Sequence, residues 1–181
     1  MTEPRTRRAL TTLVQLWLIM TFATLAGCAT TQVITANSKP PVQLQSVISD
    51  AARVDVMILP FAPNLASLPE SDDDDIPVSA EVRRAESRYL AFHLKDTLER
   101  TGNWGIVRVV PSAARHHPLL VSGKILASDG ERLAVLVTAT DASGRVWLTR
   151  TYEDNASKYA YQSIKEDPFQ DLYNNIANDL V

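Results

Sequence analysis

The 181-residue chain has little of what several classes of protein need. Its one cysteine excludes an internal disulfide framework and any zinc site built from cysteines. Its six glycines form no Gly-x-Gly pair, so the usual phosphate-binding loop is missing. With 18 basic and 21 acidic residues the formal charge is -3, which lacks the basic excess of a nucleic-acid-binding surface. We therefore expect no nucleic acid partner.

Sequence motifs for catalysis are missing as well. No Gly-x-Ser-x-Gly elbow is present, and Ser122 with Gly123 lies inside a predicted strand. Asp141 and Glu153 form a conceivable carboxylate pair, but both fall at predicted strand ends, where solvated acids are common. We expect a protein that is not an enzyme and that carries no cofactor.

The first residues read as an export signal. Arg5, Arg7 and Arg8 precede a nearly uncharged apolar run over residues 9–26, and a basic start before an apolar run is typical of a secretory signal. The run has 18 residues and includes four threonines and a glutamine, so it is short and polar for a permanent membrane span.

The apolar run ends in Leu25-Ala26-Gly27-Cys28, which resembles the lipobox of bacterial lipoproteins. The resemblance implies that residues 1–27 are removed as a signal peptide and that Cys28 carries a diacylglyceryl group and an N-acyl chain. Acyl chains of this number give stable membrane anchoring. In that family Ala29, in place of Asp, favours the outer membrane of a Gram-negative cell, and we expect the periplasmic side. Surface display and an uncleaved anchor with a coincidental cysteine are the alternatives.

The segment after the lipobox predicts a tether. Loss of residues 1–27 leaves 15 basic and 20 acidic residues, a formal charge of -5, so lipid rather than charge must hold the protein on a membrane. Residues 28–52 are polar, include Pro40 and Pro41, and predict a flexible tether. Fully stretched, it reaches at most about 80 Å.

Residues 53–181 predict one α+β domain of element order β-α-β-β-β-β-α. A continuous apolar run over 54–59 predicts a buried strand, and Ser79 and Gly102 predict the ends of a long helix. The other predicted elements are strands at 105–111, 119–127, 131–140 and 145–153 and a last helix opened by Asp167 and Pro168. The expected architecture is a two-layer sandwich, with a mixed sheet that ends in an antiparallel meander and helices on one face. No stop signal follows the last helix, which leaves open whether the natural chain continues past Val181.

The long helix offers two adjacent apolar stripes. We predict that the one formed by Val82, Ala85, Tyr89 and Phe92 faces the core, with Leu90, Leu94 and Leu98 beside it. The predicted solvated side comprises Glu81, Arg83, Arg84, Glu86 and Arg88.

Five segments together resemble the amino-terminal domain of the TolB type, a fold shared by the curli-secretion lipoprotein and by lipoproteins that activate penicillin-binding proteins. The segments are Met57–Phe61, Ile106–Val110, Leu119–Ile125, Asp129–Leu133 and Thr140–Trp147. The resemblance covers roughly residues 54–180 and implies a non-enzymatic domain that binds or regulates another envelope protein. The sequence lacks the long amphipathic hairpins of the curli-secretion pore, and its tether is shorter than that of the activators.

Aromatic residues are the interface candidates. If Trp147 faces outward, it forms an exposed patch with Arg145, Thr149 and Thr151, and an aromatic beside an arginine is typical of interfaces. The general burial of tryptophan favours the core instead. Tyr159 and Tyr161 lie among polar residues and predict a partly exposed loop.

Two further functions stay open. A ligand-binding or hydrolytic protein would use the loop of Asp72–Asp75 together with His116, and a scaffold would assemble from copies of this chain. We expect no metal site. His116 and His117 are adjacent and point different ways, His93 has no ligand four residues away, and the acidic run lacks the glycine of a calcium loop.

Overall fold

The computed structural model of the chain describes residues 33–35, 39–44, 48–68, 79–113, 117–156 and 167–181. The chain divides into two units, Met1–Thr30 and Thr31–Val181, and every described residue belongs to the second. The predicted signal peptide, Cys28, the acidic run, His116 and the two loop tyrosines lie outside the described residues.

The described residues form six strands and two α-helices. The strands are β1 (Val33–Thr35), β2 (Val56–Ile58), β3 (Val107–Val109), β4 (Leu119–Ser128), β5 (Arg132–Asp141) and β6 (Val146–Asn155). The helices are α1 (Ala80–Thr101), between β2 and β3, and α2 (Gln170–Leu180), at the end. Short 3₁₀ turns occur at Asp50–Ala52 and Leu65–Ser67.

The sheet is mixed, in the order β1-β6-β5-β4-β2-β3. Strands β2, β3 and β4 are joined by parallel pairings, β4, β5 and β6 form an antiparallel meander, and β1 pairs parallel to β6. The α+β fold class, the β-α-β-β-β-β-α order after β1 and the meander are therefore confirmed.

One face of the sheet and the helices form the core. The core positions predicted for β5, Leu133, Val135, Val137 and Ala139, are all buried, and Ala134 on the other face of the strand is buried as well. Helix α2 buries Leu172, Tyr173, Ile176 and Leu180, and Phe169 packs against the core just before the helix begins. A Cβ at Gly123 would lie 2.5 Å from two ring carbons of Phe61, so this strand position has room only for glycine.

Helix α1 begins and ends where the sequence predicts. The Ser79 hydroxyl accepts a hydrogen bond from the Val82 amide at 3.3 Å, and Gly102 ends the helix in the left-handed region at φ 69°. The start of α2 differs from the prediction. Asp167 caps a preceding turn through the Phe169 amide, and the helix itself starts at Gln170. Neither helix has the length and apolarity needed to cross a membrane.

The predicted orientation of α1 is wrong for one stripe. Leu90, Leu94 and Leu98 are buried, but Val82, Tyr89 and Phe92 are 44%, 53% and 53% exposed. The sheet covers only one side of the helix. The side that it covers carries the leucines and small residues such as Ala91, which are buried. Arg83, predicted to be solvated, is only 4% exposed and donates from Nη2 to the Ser128 carbonyl at 2.8 Å.

Part of the predicted tether is packed against the domain. Residues 33–35 extend the sheet as β1. Further along, the Val42 amide donates to Asn178 Oδ1 at 2.6 Å, and Asn103 bonds both the Leu44 amide and the Val42 carbonyl. Two asparagine side chains thus substitute for the backbone pairing that this segment lacks, which a polar sequence with two prolines does not reveal.

Candidate docking surface at Trp147

The β5–β6 turn is organised around one carboxylate. Asp141 Oδ1 accepts hydrogen bonds from the Ser143 amide at 2.9 Å, the Ser143 hydroxyl at 2.6 Å and the Arg145 amide at 3.1 Å. Its other oxygen, Oδ2, accepts from the indole Nε1 of Trp147 at 3.0 Å. Gly144 completes the turn at φ 84°, where other residues are strained. The turn therefore holds the ring of Trp147 in one orientation.

These hydrogen bonds stabilise the ionised form of Asp141. They lower its pKa from 3.8 to about 2, with the Ser143 hydroxyl as the largest cause and the Trp147 indole as the next. The carboxylate is charged throughout the physiological range and remains an acceptor for the indole.

Trp147 is exposed, contrary to the preference for the core that tryptophan burial suggests. Its side chain is 46% exposed, while the next residue, Leu148, is buried. The cause is a β-bulge. Thr140 pairs with Val146 and Ala139 with Leu148, so Trp147 is an extra residue in β6. Bulges redirect side chains and break alternation, and this one turns Trp147 away from the core.

Trp147 lines an apolar cleft of about 190 Å³. The cleft lies between the packed part of the tether, the residues after α1 and the carboxyl end of α2. Its other lining residues are Leu44, Ile48, Ala52, Arg53, Val54, Asn103, Trp104, Leu180 and Val181. Two donors of its lining residues, Nε1 of Trp104 and Nε of Arg53, are buried from solvent without an acceptor among the described residues. The surface that the cleft presents is mainly apolar.

The structure describes three of the other predicted interface residues, Arg145, Thr149 and Thr151. Arg145 and Thr149 are exposed near Trp147, as expected for an outward-facing group. Thr151 is only 7% exposed, so its predicted place in the patch is wrong, and it lies where β1 pairs with β6. Tyr159 and Tyr161 lie outside the described residues.

The cleft itself was not predicted from the sequence. Leu44 belongs to a segment predicted as tether, and Trp104 lies between a helix and a strand with no periodic pattern around it. The one signal was the presence of apolar residues, such as Val42 and Leu44, in a segment that otherwise reads as polar.

The candidate catalytic groups are not brought together. Asp141 ends β5, and Glu153 pairs with Ala134, seven residues away along the same strand, a separation of about 23 Å. Arg132 donates two hydrogen bonds to the Glu153 carboxylate, from Nε at 2.7 Å and from Nη2 at 2.9 Å. These hydrogen bonds are the main cause that lowers the pKa of Glu153. Both carboxylates stay ionised near neutral pH, so neither is a proton donor.

The remaining site candidates also have structural roles where they are described. Ser122 Oγ approaches the Thr138 carbonyl at 3.5 Å, a contact across β4 and β5. His93 Nε2 lies 2.9 Å from Gln170 Oε1, and its ring contacts the rings of Tyr89 and Tyr173. Among the residues that the structure describes, no three His, Cys, Asp or Glu side chains form a group that would hold a metal ion.

No model of a known protein family and no curated protein matches the sequence. Solved structures of similar fold include two that are distant in sequence. A PelC dodecamer from Paraburkholderia phytofirmans is 18% identical, with a TM-score of 0.45, over 71% of this chain and 88% of that one. A Xanthomonas campestris protein of family DUF330 is 9% identical, with a TM-score of 0.41, over 82% of this chain and 91% of that one. Likeness this distant carries no information about function, and the TolB-type resemblance stays a prediction.

Proposed function

We propose that the chain is a non-enzymatic lipoprotein of the bacterial outer membrane, anchored through Cys28, whose periplasmic domain binds another envelope protein through the surface around Trp147. The observation that carries the proposal is a large aromatic side chain that is nearly half exposed and yet fixed by a hydrogen bond to Asp141. Aromatic residues whose orientation is fixed before binding lose little entropy on association and are frequent interface anchors.

The cleft beside Trp147 supports a protein partner rather than a small molecule. Its volume of about 190 Å³ is below the roughly 300 Å³ at which ligand pockets usually begin. It fits one apolar side chain of a partner, in keeping with its mainly apolar lining. Arg145, exposed two residues before Trp147 in the chain, supplies a charged contact.

The experiment is photocrosslinking in cells. A photoreactive phenylalanine analogue replaces Trp147 in one strain and Thr149, an exposed neighbour on the same strand, in another. We expect a discrete protein adduct from position 147 and a weaker one or none from position 149, because only the first side chain lines the cleft. Trp147→Ala should weaken binding of the crosslinked protein by at least about tenfold, as for an interface hot spot, while Thr149→Ala leaves it unchanged.

Equal labelling from the two positions, or no adduct from either, would contradict docking at Trp147. Retained affinity in Trp147→Ala would do the same, provided that circular dichroism shows the variant to be folded.

The anchor is tested separately. Mass spectrometry of the membrane-fraction protein should find a mature chain that begins at acylated Cys28, and density-gradient separation should place it with the outer membrane. The Cys28→Ala variant should lose the acyl mass and the membrane association. A wild-type chain that retains residues 1–27, or that lacks acyl groups, would show that the lipobox interpretation is wrong.

A further inference from the structure

The part of the predicted tether that lies against the domain has little apolar contact with it. We name residues 40–44 the strap. Its two large apolar side chains, Val42 and Leu44, are 49% and 42% exposed. Pro40 and Gln43 are exposed as well. Burial of side chains therefore contributes little to holding the strap in place.

Two asparagine side chains hold the strap instead. Asn178 accepts a hydrogen bond from the Val42 amide at 2.6 Å and donates to the Pro40 carbonyl at 3.3 Å. Asn103 accepts from the Leu44 amide at 2.9 Å and donates to the Val42 carbonyl at 2.8 Å. Each asparagine thus bonds the carbonyl of one residue and the amide of the residue two positions later. The strap is held through its backbone.

This pattern of hydrogen bonds is that of an extended chain beside a neighbouring strand. In an extended chain the amide and the carbonyl of every second residue lie along the same edge, here those of residues 40, 42 and 44. The amides of residues 41 and 43 are not needed, and Pro41, which has no N–H, fits its position. A segment held by a few hydrogen bonds and little apolar contact opens more readily than a core strand.

Asn103 connects the strap to the cleft at Trp147. Asn103 and Leu44 both line the cleft, and half of its ten lining residues belong to the stretch 44–54. Among the described residues of that stretch, two amide or carbonyl groups hydrogen-bond to another part of the domain. They are the Leu44 amide, which is bound to Asn103, and the Val54 carbonyl, just before β2. Release of the strap therefore frees one wall of the cleft at its Leu44 end.

We propose that the strap and the cleft form one two-state unit that regulates docking at Trp147. With the strap docked, Leu44 completes the cleft and the surface binds its protein partner. With the strap released, that wall is lost and the affinity falls. A partner that fills the cleft contacts Leu44 and therefore favours the docked strap, because coupling between two binding events is reciprocal. The regulation rests on the proposed docking function, whereas the two-state unit belongs to the chain alone and is measured without a partner.

Two variants release the strap without changing a residue of the cleft. Asn178→Ala removes one of the two asparagines, and alanine is the better helix former, so α2 itself is not weakened. Val42→Pro removes the N–H that Asn178 accepts. Neither position lines the cleft. Gln43→Pro is the matched control, because among the described residues Gln43 makes only a 3.4 Å side-chain contact, with the Arg100 carbonyl.

Hydrogen exchange and ¹⁵N NMR of the purified full-length chain test the two-state unit. We expect the Leu44 amide to exchange at least about tenfold faster in Asn178→Ala and in Val42→Pro than in wild type, although Asn103 is unchanged. The indole resonances of Trp104 and Trp147 should both shift, in the same directions in the two variants. Gln43→Pro should match wild type in both measurements. A Leu44 amide that stays protected, or indole resonances that do not move, would overturn the unit, provided that circular dichroism shows the variants to be folded.

Photocrosslinking from position 147 in cells tests the regulation. Asn178→Ala should lower the yield of the protein adduct by at least about fivefold, while Gln43→Pro leaves the yield unchanged. Equal yields from wild type, variant and control would overturn the coupling and leave docking at Trp147 standing. No adduct from any of the three would contradict the docking function and the regulation together, and the exchange and NMR measurements would still decide whether the strap and the cleft form one unit.

Discussion

Two aromatic residues on β6, Trp147 and Tyr152, each donate one hydrogen bond to one aspartate, and they differ in burial. Tyr152 is fully buried, and its hydroxyl donates to Asp179 Oδ2 at 2.8 Å, whereas Trp147 is 46% exposed and donates to Asp141 at 3.0 Å. A buried hydroxyl without a partner is costly, so Tyr152 requires its aspartate. Water can accept a hydrogen bond from the exposed indole N–H, so this group does not need Asp141 as its acceptor. The bond to Asp141 instead fixes the orientation of the Trp147 ring.

The electrostatics of the two sites agree with this division. Burial is the main cause that raises the pKa of Tyr152 far above its ordinary value, and the nearby Asp179 adds to it. Asp179 also pairs with Arg150 at 3.0 Å, so α2 is fastened to β6 by a three-residue cluster. Among the described residues, the carboxylate of Asp141 by contrast bonds groups of its own turn and of Trp147. Asp179 therefore joins α2 to β6, whereas Asp141 positions the side chain of Trp147.

The largest effect should come from removing the buried ring. Tyr152→Ala should lower the free energy of unfolding by about 3–5 kcal/mol, as for other fully buried aromatic residues. Trp147→Ala should lower it by only about 1–2 kcal/mol, because nearly half of the ring already meets water. Urea unfolding of both variants beside wild type measures the difference. Equal losses would show that Trp147 is a core residue and would remove the basis of the comparison.

A smaller effect should follow from removing only the buried hydroxyl. Tyr152→Phe keeps the ring and leaves Asp179 with Arg150 as its partner, so we expect a loss of roughly 1–2 kcal/mol in unfolding free energy. The same urea titration measures it, with Thr149→Ala as a surface control that should change stability by less than about 0.5 kcal/mol. A Tyr152→Phe variant as stable as wild type would mean that the hydrogen bond from Tyr152 to Asp179 makes no net contribution to the free energy of unfolding.

The smallest effect concerns the turn. The folded-state pKa of Asp141 is about 2, below its ordinary 3.8, so the stability from its ionised form is complete above about pH 4 and is lost as the pH falls through about 2. In ¹⁵N NMR, the Trp147 indole resonance should keep its position down to about pH 3 and shift with a midpoint near 2. Asp141→Asn is the control and should show a different shift at every pH. A midpoint near 4 in wild type would mean that the carboxylate does not hold the ring.

The parts of this structure that follow from local patterns could be predicted from the sequence. The meander follows from the alternation in β5 and from turn glycines such as Gly144, and the ends of α1 follow from Ser79 and Gly102. Each of these signals lies within a few residues of the feature it specifies.

The candidate site could be predicted only in part, because its geometry depends on distant contacts. The bulge that exposes Trp147 arises from the register between β5 and β6, which no single segment encodes. Both the stripe of Val82, Ala85, Tyr89 and Phe92 and the stripe of Leu90, Leu94 and Leu98 on α1 are apolar, and contact with the rest of the domain buries the second. The cleft needs Leu44, which is held by Asn103 from 59 residues away along the chain.

Strand β1 shortens the chain between the predicted anchor, Cys28, and the folded domain. If Cys28 is the acylated residue, only four residues lie between it and Val33, where β1 begins, and the five Cα–Cα steps span at most about 17 Å. A 24-residue tether would let the domain search a deep layer of the periplasm. With β1 in the sheet, the domain would instead stay close to the lipid surface. It would contact only proteins that have a part within that thin layer.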